Sequence, residues 1–114
     1  MKHSTGNPTK AEAARFDRMK ALGCIACILD GTQPEGVEPQ IHHYLSGNKR
    51  RGHKFSVPLC YWHHNGLPYD EMPSAWLLEN IGPSFHKHTR KFRDRYGSDA
   101  ELLAITNNYL EGKA

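Results

Sequence analysis

The sequence predicts an α+β fold: two short strands and a helix forming a small finger, preceded by an N-terminal helix and followed by a helical collar. Three observations predict it. Cys24-x-x-Cys27 and Cys60-x-x-His63 are two short pairs, and two ligands three positions apart on a tight turn can both reach one tetrahedral zinc ion. Between the pairs lie two strand-like runs joined by a glycine-containing loop, and after them come capped segments of helical period. The 114 residues are expected to form one domain: a flexible arm over 1–8, a zinc-stapled ββα core over 24–66 and supporting helices over 73–111. So short a chain buries only a modest fraction of its surface, and its 38% hydrophobic content is low for a well-filled core. A metal staple is therefore physically useful here.

The first helix is expected from about Thr9 to Leu22. Thr9 and Glu12 have the spacing of a capping box, alanines carry the helix, and Gly23 suits its C-terminal cap. The Cys24–Cys27 knuckle follows, and Gly and Pro between Asp30 and Pro39 read as an irregular connection. The strand candidates are Gln40–Leu45 and Lys54–Leu59, joined by Ser46–His53, whose Gly47, Asn48 and Gly52 signal a hairpin-like loop. Pro58 has no N–H to give a ladder, which makes its strand an edge at that point. A short helix should begin near Cys60, carry His63 and His64, and stop at Gly66 and Pro68. The collar is expected as Ser74–Ile81, Ser84–Tyr96 and a last helix opened by a second capping box, Ser98 with Glu101. Trp76, Leu77, Phe85, Phe92 and Tyr96 are expected in the core, because aromatic residues at helical spacing usually pack.

No apolar run approaches the length of a membrane span, and residues 1–10 carry no signal-type hydrophobic stretch, so the expectation is a soluble protein of the cytoplasm. Three cysteines cannot all pair, and in a reducing compartment their spacing reads as metal binding rather than disulfide. A thioredoxin-type redox pair at Cys24 and Cys27 lacks the strand-helix-strand surroundings it needs. Net charge is a mild +3, but its distribution is uneven. Lys49, Arg50, Arg51, His53 and Lys54 crowd the loop between the strands, and Lys87, Arg90, Lys91, Arg93 and Arg95 follow on a later helix. Two basic runs near a candidate metal site point to contact with a nucleic-acid backbone. Such contacts position DNA without reading its sequence.

One zinc does not use His42, His43 and His64, and their placement between and after the two pairs carries a resemblance. Cys-x-x-Cys, then His-His in a strand, then a short basic loop, then Pro-Leu-Cys-x-x-His-His resembles the His-Asn-His (HNH), or ββα-metal, endonucleases with their treble-clef-like zinc finger. More narrowly, Ile41-His42-His43, the run from Gly52 to Cys60, His63-His64, Tyr96-Gly97 and Leu102-Leu103 resemble the phage recombination-enhancement (Ref) nucleases. The layout is also similar to that of phage endonuclease VII.

The resemblance implies a phage or prophage protein of the bacterial cytoplasm that cuts DNA and works with RecA filaments. By the family pattern, Cys24, Cys27, Cys60 and His63 close a structural Zn²⁺ site, His42 and His64 ligate a catalytic Mg²⁺ or Mn²⁺, and His43 is the general base. His64 competes with His63 as the fourth zinc ligand, because adjacent helical residues differ in direction by about 100° and only one faces the ion. The middle position of the motif, usually Asn, falls on Phe55, with His53 and Asn48 nearby. Lys49, Arg50, Arg51, His53, Lys54, Arg90 and Lys91 are the DNA-contact candidates. An imidazole accepts a proton near neutral pH without special tuning, which suits activation of water in phosphodiester hydrolysis. A zinc-stabilised DNA-binding or recombinase-docking module without catalysis is the other class this layout allows.

Overall fold

The computed structural model describes residues 7–32, 38–46, 49–50, 52–66 and 72–112. Helix α1 (Lys10–Leu22) opens with the expected capping box: the Glu12 N–H donates to Thr9 Oγ1 at 3.2 Å and the Thr9 N–H to Glu12 Oε1 at 2.9 Å. The knuckle that follows is itself helical. Cys24 is the N-cap of α2 (Ile25–Asp30), its sulfur accepting the Cys27 N–H at 3.4 Å. Sulfur takes the role usually given to a hydroxyl or carboxylate, so the Cys24-x-x-Cys27 pair doubles as a first helical turn.

Strand β1 (Gln40–His43) is followed by β2 (Leu45–Ser46), β3 (Lys49–Arg50) and β4 (Ser56–Leu59). β1 and β4 are antiparallel, with Gln40 opposite Leu59 and His43 opposite Ser56, and β2 pairs with β3 as a separate short hairpin. The Tyr44 N–H donates to the Phe55 carbonyl at 2.8 Å, continuing the first ladder by one residue. Beyond it the return strand leaves the ladder, because Leu45 pairs with Arg50 and not with Lys54. The second strand is thus shorter than the expected 54–59. An excursion carrying Gly52, His53 and Lys54 replaces its start.

Cys60 then caps α3 (Tyr61–Asn65) as Cys24 caps α2, with the His63 N–H 3.5 Å from its sulfur. Gly66 ends the helix at φ +71, where a side chain would collide with Lys87 as well as strain the backbone. The collar is α4 (Ser74–Asn80), α5 (Thr89–Tyr96) and α6 (Asp99–Leu110), the last opened by the expected Ser98–Glu101 capping box. α5 is shorter than the expected 84–96. The Phe85 and His86 amides donate to the His63 and His64 carbonyls at 2.7 and 3.1 Å, and His88, at φ −135 and ψ 50, breaks the helical geometry between that turn and Thr89.

One core joins these elements: Ile25, Val57, Leu59, Trp62, Leu77, Phe92 and Leu102 are buried in a single cluster. Full burial of such side chains contributes about 1.5–3 kcal/mol each. Arg15 ties the layers together, donating to Asn107 Oδ1 and to the Ser56 carbonyl at 2.7 Å each. Trp76 departs from expectation: it is 42% exposed, because short α4 turns only its Leu77 side fully inward. Among the described residues no helix is long and apolar enough to cross a membrane. Residues 1–6 of the expected N-terminal arm, Asn48, Arg51 and the side chains of Lys49 and Arg50 lie outside the described residues.

Candidate active site and metal centre

The helix starts at Cys24 and Cys60 bring four ligand atoms together. His63 Nδ1 lies 3.4 Å from Cys24 Sγ and 3.3 Å from both Cys27 Sγ and Cys60 Sγ, and the last two sulfurs are 3.9 Å apart. A tetrahedral ion with bonds of about 2.0 to 2.3 Å has ligand-to-ligand edges of roughly 3.4 to 3.8 Å, so this cluster could hold one without rearrangement. All three cysteines are free and buried, and His63 is fully buried. His63, not His64, completes the set. Its Nε2–H points the other way, 3.1 Å from both the Ile81 carbonyl and the Tyr96 hydroxyl, which fixes the ring with Nδ1 toward the sulfurs. Tyr96 in turn donates to Asp30 Oδ2 at 2.6 Å.

The sulfurs favour positive charge at their centre. Burial alone would push His63 down, but the hydrogen bonds it donates to Cys24 and Cys60 and the charges on those sulfurs override it and raise the imidazole to about 10. Cys60 is driven far below a normal thiol by hydrogen bonds from Cys24 and Cys27.

Strand alternation separates the other histidines. His42 and His43 leave β1 on opposite faces. His42 turns toward α3, where its ring centroid is 4.9 Å from His64, 5.9 Å from His86 and 4.4 Å from Phe85. One nitrogen from each of His42, His64 and His86 falls within 4.8 Å of the others, a second cluster that could hold a metal. His42 is 6% exposed, and its buried Nε2 has no hydrogen-bond partner among the described residues. An orphaned buried nitrogen is costly unless a ligand satisfies it. His64 Nδ1–H donates to Gln40 Oε1 at 2.8 Å, which leaves the lone pair on Nε2. Burial first, then the charges of His64 and His86, push His42 down to about 3; burial and His86 push His64 down to about 4. Both rings are therefore neutral at pH 7, the form that ligates a metal.

His86 is not among the candidate ligands that the sequence offers; it falls inside the segment expected to be the helix 84–96. It is exposed, yet the backbone bonds from Phe85 and His86 to α3 set its ring 5.2 Å from that of His64. No local pattern announces such a residue; its signal is a histidine beside a phenylalanine in the turn that crosses the end of α3.

His43 turns toward α1. Its Nε2 is 3.1 Å from His53 Nδ1, and Phe16 presents its ring to both imidazoles at 5.9 and 5.3 Å. His53, a DNA-contact candidate by sequence, is instead 6% exposed, because the excursion folds it back onto β1. Of the candidates for the motif's middle position, Phe55 packs against the core and His53 meets His43. Lys54, Arg90 and Lys91 are exposed; Arg93 is paired with Asp99 at 3.1 Å and Arg95 with Asp30 at 3.2 Å.

The described residues thus bring together two clusters that could each hold a metal ion and, apart from them, the His43–His53 pair. A family model described as recombination enhancement, RecA-dependent nuclease matches residues 8–111, which takes in both clusters, the His43–His53 pair and the collar. The chain belongs to that family of RecA-dependent nucleases.

Proposed function

We propose that this protein is an HNH-type, metal-dependent DNA endonuclease built as one domain, with a zinc-stapled ββα-metal core over 24–66 and supporting helices over 73–111, acting on DNA in cooperation with RecA filaments in phage or prophage recombination. The observation that carries it is the orphaned Nε2 of His42, buried within reach of His64 and His86 beside a separate cluster of three cysteines and a histidine. Cys24, Cys27, Cys60 and His63 hold zinc in this reading, and His42 and His64, with His86 as a third ligand, hold the catalytic divalent ion. A divalent ion there stabilises the charge that builds on the phosphate and the leaving oxygen. Three imidazoles are softer than carboxylates, so affinity favours Mn, Co, Ni or Zn over Mg, while abundance can still make magnesium the working ion.

His43 does the proton work. As general base it takes a proton from the attacking water while the phosphorus–oxygen bond to the 3′ carbon breaks, giving a 5′-phosphate and a 3′-hydroxyl by analogy with the HNH enzymes. His42 and His64 would hold the ion on the α3 side of β1, and His43 stands on its α1 side. Lys54, Arg90 and Lys91, with Lys49 and Arg50 of the β2–β3 hairpin and Arg51 after them in sequence, contact the DNA backbone.

The test is nicking of RecA-coated circular DNA in Mg²⁺ or Mn²⁺ by wild type and His43→Ala. The variant should keep its zinc, its fold and its DNA affinity and lose about a hundredfold or more in cleavage rate. Cleavage at the wild-type rate would overturn the assignment and favour a zinc-stabilised DNA-binding module.

A further inference from the structure

We infer that His53 is the positioning residue of the base: its Nδ1 accepts the Nε2–H of His43, which places the basic lone pair of His43 on Nδ1. The inference rests on His43 being the general base, and it adds the nitrogen at which the proton is taken and the residue that decides this.

Two imidazole nitrogens 3.1 Å apart share one hydrogen, so each ring is held in one tautomer. There are two ways to place it. If His53 donated, His43 would carry its hydrogen on Nδ1 and its only lone pair would be taken up in the bond. It could not accept a proton from water without breaking that bond. If His43 donates from Nε2, the lone pair is on Nδ1 and the bond survives proton uptake. The arrangement parallels the carboxylate that holds the histidine tautomer in a serine-protease triad, with a neutral imidazole as the acceptor.

The surroundings fix the pair. His53 stands in the excursion where the return strand abandons the ladder. Gly52 turns there at φ +123, the Phe55 N–H closes the turn on the Gly52 carbonyl at 3.1 Å, and the Ser56 hydroxyl donates to the His53 carbonyl at 2.6 Å. A regular hairpin would have continued the ladder through Lys54 and carried no residue back to His43. The Phe16 ring lies edge-on against both histidines and His53 is nearly buried, so water does not compete well for the bond. When water gives its proton to Nδ1 of His43, that ring becomes an imidazolium whose Nε2–H bond to His53 is now charge-assisted. No proton passes to His53.

Long-range ¹⁵N–¹H correlation spectra of the full chain, loaded with zinc, read the tautomers directly. His43 should be the Nε2–H form and His53 should have an unprotonated Nδ1. His53→Phe should leave His43 a mixture of tautomers and lower kcat for nicking of RecA-coated DNA roughly tenfold to a hundredfold, with KM for DNA within about twofold. His53→Gln, whose carbonyl can accept the same hydrogen, should recover most of kcat and the Nε2–H signal. A wild-type His43 in the Nδ1–H form overturns the proposal however the variants fold. So does a folded His53→Phe protein with wild-type kcat. Wild-type cleavage by His43→Ala overturns instead the general-base reading beneath it, a separate result, because the spectra report on the pair without reference to activity.

Discussion

His42 and His43 are neighbours in sequence and strangers in space. Alternation along β1 sends one ring to α3 and the other to α1, so a single dipeptide furnishes one histidine of the second cluster and the partner of His53. The buried His42 and half-buried His64 are held neutral chiefly by burial, the form a metal ion would need, whereas His86 is exposed and held mainly through its backbone. The three should therefore not contribute equally. His42→Ala and His64→Ala should abolish calorimetrically detectable Mn²⁺ binding at the second site, and His86→Ala should weaken it by about ten- to a hundredfold, the range in which supporting metal-site residues act. Titration of Mn²⁺ into the zinc-loaded variants checks the order; an unchanged affinity in His86→Ala would remove that residue from the site.

At the scale of elements, caps and hairpins carry the design. Cys24 and Cys60 begin helices with their sulfurs, so each of the two pairs is an N-cap and the third residue of the helix it starts. α6 depends on an ordinary cap. Ser98→Ala should lower stability by about 1 kcal/mol in urea unfolding, with the m-value unchanged. The β2–β3 hairpin carries Lys49 and Arg50 at the tip side of the finger, next to Arg51 in sequence. Arg50→Ala combined with Arg51→Ala should weaken DNA binding about equally across sequences. Each lost phosphate contact should reduce the log-log salt slope by roughly 0.7 to 0.9, measurable by fluorescence anisotropy at several salt concentrations. An unchanged slope would place the DNA on another surface.

For the whole molecule, the three-cysteine cluster is the point where separate parts of the chain meet. It joins the starts of α2 and α3. Through His63 Nε2 it reaches Ile81 at the end of α4 and Tyr96 at the end of α5, and through Tyr96 it returns to Asp30 at the end of α2. A core this small gains much of its cohesion from such a junction, and binding free energy at a structural metal site is largely folding free energy. Purified protein should contain one tightly held zinc per chain. Chelation, or Cys60→Ala, should abolish the near-UV circular dichroism signal and the cooperative melt. A metal-free protein with an intact near-UV spectrum would sink the zinc assignment.

The sequence by itself determined what is decided within a few residues: both capping boxes, the spacing of Cys24 with Cys27 and of Cys60 with His63, and the helix stop at Gly66. These rest on backbone geometry at separations of one to four positions, which any chain of this composition must obey. It also carried enough of the family's order of motifs for the family itself to be legible. Tertiary structure alone decided which distant residues join them. His86 enters the second cluster because the Phe85 and His86 amides bond to the His63 and His64 carbonyls and hold their turn against α3. His53 meets His43 because the return strand leaves its ladder, and Trp76 stays outside because α4 has one inward side and Leu77 takes it. Each outcome depends on a competition between hydrogen bonds or burial across long separations, and no local period in the sequence records which side wins.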